Sequence, residues 1–458
     1  MMTRPASLPS RVLFTAWPFP GHLFPQIAVA HALRRQGHEV AFYTGAEGVR
    51  IAGSEGFPCY PFRHVNEEAI DALMRRRPAD PWRLTRLPRL AVLLKRWLLE
   101  TVPQQIEDLE AVVAEWSPSV VATDPTLWAP ILVLGEKHRL PVAVCSFVPA
   151  CMVPGRDAPL FGPGLPRSRR RSGRVADAAL RQLTRVTGRL STRTVNAIRR
   201  PHGLPPLTRS VTAHTGQMPL YLVPSAPEFD YERRDLPPSV QYVGPLLWNR
   251  PRIQPAPQWL EHIDSHGRCV HISEGTVHVG EPFLLKAAID GLAELPIQVV
   301  ATTGGNRSIE ELRLTRIPDN LRIEQWISHT DLLPHVDVVV TTGGAGTVLA
   351  ALAAGVPLVI VPTEWDKPEV AQRVVEAGAG LRLAPQRCTP ARLRALVLEV
   401  LEQPRFREAA RRLAHIFARQ GGPERAAELL VALDRRGHQS APPAPRPTAA
   451  PVAAYQGV

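Results

Sequence analysis

Val338-Val-Val-Thr-Thr-Gly-Gly-Ala-Gly-Thr-Val-Leu-Ala-Ala-Leu-Ala-Ala-Gly-Val-Pro-Leu-Val-Ile-Val-Pro362 reads as a strand, a glycine turn, a helix and a second strand. The β-branched run ending at Thr341 suits a strand covered on both faces, as in a parallel sheet. It passes through the turn straight into a helix, so several backbone N–H groups and the helix's positive end converge on one point. That geometry binds a phosphate or diphosphate. Gly343, Gly344 and Gly346 let an anion approach the backbone, and Thr347 adds a hydroxyl donor. The spacing is neither GxGxxG nor GxxxxGK[ST], which argues against a dinucleotide cofactor and against a P-loop.

Moving outward, a second such turn stands at Ser273-Glu-Gly-Thr276, closing the strand Arg268-Cys-Val-His-Ile-Ser273. Two N–H-rich turns on one sheet edge could clamp a diphosphate without metal. Further strands are expected at Ile297–Thr302, Leu321–Gln325, Asp337–Thr341 and Pro357–Val361, with helices at Glu281–Leu292, Pro404–Gln420 and Pro423–Arg436. The chain opens on the same theme. Arg11–Trp17 is a strand, Gln26–Gln36 a helix with Pro25 in its first turn and Gly37 as cap, and Val40–Tyr43 the next strand. Ser119–Thr123, Pro141–Ser146 and Pro219–Pro224 add strands, with a helix beginning near Pro125. This is an α/β chain with two parallel sheets.

The 458 residues exceed one ordinary core. Residues 1–224 form the first expected domain, 225–262 with their seven prolines a linker, 263–436 the second domain, and the Ala- and Pro-rich 437–458 a disordered tail. The last helix is expected to pack back on the first domain. No apolar run approaches the roughly 18 residues of a membrane span, and no secretion signal precedes the first strand, so a cytoplasmic location is expected. Cys59, Cys145, Cys151, Cys269 and Cys388 show neither CxxC nor zinc spacing, which suits reduced thiols in the core. Arginine supplies almost all of the net charge of +12. Arg167–Arg200 holds eleven arginines against the single acid Asp177. A solvated helical face is the plainer reading, because no aromatic rings are interleaved to stack on nucleic acid; weak association with an anionic membrane is the other.

Four motifs in order, Gly21-His22-Leu-Phe-Pro25, Ser273-Glu-Gly-Thr276, Trp326 through Thr347, and Pro362-Thr-Glu-Trp-Asp-Lys-Pro-Glu369, resemble the nucleotide-sugar-dependent family-1 glycosyltransferases. The bacterial members that decorate macrolides and other natural products are the nearest type, and the likeness runs to about Arg436. It implies the GT-B fold of two facing Rossmann-like domains. It also implies a nucleotide-diphosphate sugar as co-substrate, with no separate cofactor and no metal.

By that resemblance His22 matches the catalytic base, and Asp124 the acid that orients it. Trp326 matches the residue stacking on the nucleotide base, Thr347 a phosphate ligand, and Asp366 the acceptor of donor-sugar hydroxyls. Ser273, Gly275, Thr276, His329, Thr342, Gly343, Gly344, Gly346 and Lys367 complete the expected donor site. The chain departs from the family pattern at six places. Thr342 replaces a histidine, Lys367 and His329 glutamines, Val370 an asparagine and Ala350 a ribose-binding glutamate, while Glu274 puts a carboxylate inside the phosphate turn.

Three of these residues carry a plainer reading. Asp124 precedes Pro125 and could cap a following helix, Trp326 could be core, and Lys367 could pair with Asp366 or Glu369. Trp17, Phe19, Leu127, Trp128, Phe147 and Phe161 are the expected apolar wall for a small hydrophobic acceptor in the first domain. The reading adopted is inverting transfer from a UDP- or dTDP-sugar to an acceptor hydroxyl. Its rivals are a membrane-surface enzyme with a lipid acceptor and a catalytically silent auxiliary subunit. Oligomeric state is not legible in the sequence.

Overall fold

The computed structural model describes residues 8–75, 84–167, 191–248, 257–263, 267–275, 281–305, 307–312, 314 and 317–440. Thr276, most of the arginine-dense segment and the Ala/Pro-rich tail from 441 lie outside the described residues.

The first sheet holds β1 (Arg11–Thr15), β2 (Glu39–Thr44), β3 (Cys59–Pro61), β4 (Val120–Thr123), β5 (Val142–Cys145), β6 (Leu220–Val223) and β7 (Val240–Tyr242). The second holds β8 (Cys269–Ser273), β9 (Gln298–Thr302), β10 (Leu321–Glu324), β11 (Val338–Thr341), β12 (Leu358–Ile360) and β13 (Gly380–Arg382). Their orders are β3-β2-β1-β4-β5-β6-β7 and β10-β9-β8-β11-β12-β13. Every pairing among the described residues is parallel. The order reverses between β1 and β4 in one sheet and between β8 and β11 in the other. Crevices at such switch points are where open parallel sheets bind ligands.

Both faces of each sheet are covered, which is why the inner strands are mostly apolar, while the edge strands β3, β7, β10 and β13 are less buried. Leu13, Val121, Val144 and Tyr221 pack on one side of the first sheet, and Phe14, Ala122, Ala143 and Leu222 on the other. In the second sheet Val339 and Ile360 face one helical layer while Val338, Val340 and Val359 face the opposite one. The final helix, Gly422–Ser440, returns to the first half. Its Ala426, Ala427, Leu430 and Val431 join the core of Phe14 and Ile27, and Arg35 meets Glu424 at 2.5 Å.

Three departures from the sequence reading have physical causes. β3, β7 and β13 were not expected; each has three residues, too few to show an alternation. β7 falls inside the stretch read as a linker, so the first sheet continues to Tyr242. The first helix runs Pro20–Arg35 and not from Gln26, with Pro25 inside it. Pro20 needs no N–H bond at a helix start, and Pro25 forfeits only the bond its N–H would give to the Gly21 carbonyl. His22 therefore sits in the first helical turn after β1.

Candidate active site

At the first switch point Thr15 of β1 lies in register with Thr123 of β4, and their hydroxyls are 2.8 Å apart. That pairing brings the residues following each strand together. His22 Nδ1 meets Asp124 Oδ2, while Asp124 Oδ1 accepts from the Thr126 N–H at 2.7 Å and from its hydroxyl at 2.5 Å. Asp124 is fully buried and the His22 side chain 13% exposed. Asp124 thus serves two partners, one oxygen the local turn and the other the histidine. The turn is not a helix cap, since the next helical segment starts at Pro130. A carboxylate on Nδ1 fixes the imidazole so that Nε2 is the ring nitrogen left to take a proton.

The second switch point is built from backbone. Ser273 and Thr341 are in register, and the turns that follow are tied together by the Thr342 hydroxyl, which donates to the Glu274 carbonyl at 3.0 Å. Thr342 is buried, so its hydroxyl braces the turns. Gly275 and Gly343 both adopt left-handed backbone, φ +80 and +90, and a Cβ on Gly343 would sit 2.9 Å from Ile360. A side chain on Gly344 or Gly346 would meet nothing within 4 Å. Among the described residues no side chain caps the helix Ala345–Ala353 that starts there, so its first N–H groups are left for a ligand beside partly buried Thr347.

Glu274 does not enter the phosphate turn. Its Oε1 accepts from the Leu284 and Leu285 N–H groups at 2.9 and 3.2 Å, at the start of the helix Phe283–Leu292. Its Oε2 meets Arg307 at 3.0 Å with both side chains buried. The expectation of a carboxylate facing the diphosphate is corrected: two helical N–H donors and a guanidinium satisfy it on the far side. Val370 and Ala350 are likewise buried in the apolar core.

Trp326 is 45% exposed at the end of β10, which removes the core reading. His329, three residues on, begins a short helix; burial lowers its imidazole to about 4, and burial with neighbouring His329 lowers that of His271 behind it to about 3. The two rings lie 6.1 Å apart. Asp366 occupies the cap position of the helix Lys367–Glu376 without spending its side chain there. Burial raises its carboxyl, against the pull of Lys367 and, across the cleft, of His22. Lys367 Nζ donates to Thr363 at 3.0 Å, and Glu369, its other expected partner, belongs to Arg373 at 2.6 Å.

The expected acceptor wall divides. Trp17, Leu127 and Trp128 are core, with the indole N–H groups donating to the Thr126 and Pro125 carbonyls at 3.1 and 2.8 Å. Their burial leaves them little surface for a ligand, and this corrects their assignment; they hold the Asp124 turn from behind. Phe19, Phe147 and Phe161 remain partly open. Phe147 stacks on His22 at 3.7 Å between centroids. Two residues missing from the sequence reading join them. Trp97 lies 5.9 Å from Phe19, and Trp365 lies 5.8 Å from Trp97, joining the two halves edge to face. Trp365 holds φ +59, strained for a bulky residue and placed directly before Asp366. Its position inside the Pro362–Glu369 motif was the available signal; Trp97 follows Lys95-Arg96 in a helical stretch that carries no motif.

Comparison with known proteins bears on the family and the fold. Residues 286–433 match the family described as Erythromycin biosynthesis protein CIII-like, C-terminal domain. The 4'-demethylrebeccamycin synthase of Lentzea aerocolonigenes is 36% identical over 428 residues, covering 93% of this chain and 99% of that protein. Among solved structures, the glycosyltransferase of kitacinnamycin superposes with a TM-score of 0.71 at 21% identity, covering 93% of this chain and 99% of that one. The glycosyltransferase VinC in complex with dTDP gives 0.68 at 22% identity, over 93% and 100% of the two chains.

Proposed function

Because the chain belongs to the nucleotide-sugar-dependent glycosyltransferases of the bacterial natural-product type, we propose that His22 and Asp124 drive inverting transfer from a UDP- or dTDP-sugar to a hydroxyl of a small hydrophobic acceptor. The chain is a glycosyltransferase of GT-B fold that transfers a sugar to a small acceptor. The finer reading rests on one observation, the contact of His22 Nδ1 with the buried Asp124 carboxylate at the mouth of the first sheet. Nε2 takes the proton of the acceptor hydroxyl while that oxygen attacks the anomeric carbon, and Asp124 stabilises the imidazolium that forms. The bond to the diphosphate breaks on the opposite face, so a single displacement inverts the anomeric centre. Charge gathering on the leaving diphosphate is met by the Gly343–Gly346 backbone and the start of the Ala345–Ala353 helix.

Trp326 stacks on the nucleotide base, His329 contributes a neutral imidazole beside it, and Asp366 accepts from sugar hydroxyls. Thr276, the remaining expected donor residue, lies outside the described residues. VinC carries dTDP in its structure, which makes dTDP the first probe. Calorimetric titration with dTDP and UDP, followed by transfer from each sugar nucleotide to a panel of hydroxylated aromatics, tests the reading. Binding of neither nucleotide would sink the donor assignment; transfer with retention would sink the single displacement. The intact His22–Asp124 contact favours catalysis over a silent auxiliary role. The lipid-acceptor rival rested on an arginine segment that falls mostly outside the described residues.

A further inference from the structure

A cluster of buried charge away from the base and the glycine turns joins the halves. Arg373, on the helix that Asp366 starts, bonds Asp230 at 2.8 Å and Glu369 at 2.6 Å, and all three side chains are at most 3% exposed. Asp230 follows β6 and also accepts from the Cys151 N–H at 2.9 Å and the Tyr242 hydroxyl at 2.8 Å. The free oxygen of Glu369, Oε1, accepts from the Gly162 and Gly164 N–H groups at 2.8 and 2.9 Å. Around this centre the same loop is held three more times. Arg382 donates to the Gly164 carbonyl at 2.9 Å, the Arg167 N–H to Glu376 at 2.9 Å, and the Tyr231 hydroxyl to the Leu165 carbonyl at 3.1 Å. Gly164 has φ +63, and a Cβ there would lie 2.1 Å from the Pro368 carbonyl oxygen. The loop therefore rests on the first turn of the helix that carries Asp366.

A buried ion triad is weak support for stability, because desolvation offsets most of the attraction. Its geometric effect is different. The 162–167 loop belongs in sequence to the acceptor half, yet apart from the bond from Tyr231 these hydrogen bonds run to the donor half. Phe161, one of the acceptor-wall residues left partly open, immediately precedes it.

We propose that Glu369 is a positioning residue: through Gly162 and Gly164 it fastens the acceptor loop to the helix of Asp366, so that Phe161 and the sugar-binding acid move as one body. This rests on the glycosyl-transfer reading and adds to it. When the halves hinge, Phe161 stays with the donor domain, and the acceptor site is complete only at one separation of the halves.

The test uses the full chain, dTDP as the nucleotide probe and a fluorescent hydroxycoumarin as the acceptor probe. Glu369→Ala and Gly164→Ala should each weaken hydroxycoumarin binding by about tenfold and lower kcat with dTDP-glucose, while dTDP affinity stays within about twofold. Glu369→Gln keeps an oxygen for both glycine N–H groups while its N–H₂ loses the bond to Arg373, so it should recover acceptor binding above that of Glu369→Ala, which a purely charge-based role for Glu369 would not allow. Gly164→Ala removes no charged group, so it decides the matter if Glu369→Ala fails to fold. Unchanged hydroxycoumarin binding in Gly164→Ala, or a parallel loss of dTDP affinity, would overturn the proposal. Wild-type binding of dTDP without hydroxycoumarin would overturn the loop's acceptor role, and binding of neither probe would overturn the glycosyl-transfer reading itself.

Discussion

The two sheet edges occupy the same topological position, yet they meet their polar demands in opposite ways. After β1 and β4 the chain invests in side chains: a buried carboxylate, Asp124, is directed at an imidazole. After β8 and β11 it invests in backbone, and the one buried carboxylate there, Glu274, is turned away to a helix start and to Arg307. The contrast follows from the chemistry each edge faces. Moving a proton needs a group that changes charge within reach of neutral pH, which backbone lacks. Receiving an anion needs preorganised donors and no competing negative charge, which glycine turns supply and a carboxylate would spoil.

Substitutions at the two edges should therefore separate turnover from nucleotide affinity. The largest effect is expected at the first edge, where His22→Ala should cut sugar transfer by on the order of 10²–10⁴-fold and leave dTDP affinity unchanged. Asp124→Asn keeps a turn acceptor for Thr126 and should still lose on the order of 10²-fold, with little further loss when combined with His22→Ala. Full activity in a well-folded His22→Ala chain, measured by product chromatography, would break the comparison.

The next effect is on stability and belongs to the second half. His271 and His329 are held near 3 and 4 by burial, so they stay neutral in the fold while an unfolded chain protonates them below about 6.5. Their contribution is whole above that value and is lost as pH falls from about 6.5 toward 4, on the order of a few kcal/mol for the pair. His271→Leu should flatten the decline of melting temperature between pH 7 and pH 5; an unchanged slope would show that other groups carry it. Smaller again, Trp326→Ala should weaken dTDP by about 1–3 kcal/mol while leaving turnover at saturating donor intact. Loss of turnover with unchanged dTDP affinity would move that indole from the donor site to the chemistry. The smallest expected effect is none: if glycine turns receive the diphosphate, EDTA leaves transfer unchanged. Abolition by EDTA with recovery on Mg²⁺ would replace backbone by metal in the comparison.

Much of this site was legible before the structure. Gly21-His22, Asp124, the Ser273 and Thr342 turns, Trp326 and Asp366 all follow predicted strands, and all lie at or beyond the C-terminal ends of β1, β4, β8, β11, β10 and β12. The acceptor wall was half legible. Phe147 reached His22, but Trp17, Leu127 and Trp128 went into the core, because an aromatic residue near a strand end does not reveal in sequence which side of the turn it faces.

What the sequence determined alone is what a few neighbouring residues can enforce. Runs of β-branched residues make covered strands, and glycines at fixed offsets allow left-handed turns. Strand–turn–helix order selects a parallel sheet with its site at the strand ends. What tertiary structure decided is where a polar side chain finds its partner. Glu369 meets Gly162 across 207 residues and Glu274 turns to Arg307 across 33, while the three-residue strands exist because a neighbouring strand offers them an edge. A buried carboxylate must be satisfied by some donor, but local sequence does not say which, since the choice belongs to the packing that brings distant donors within reach.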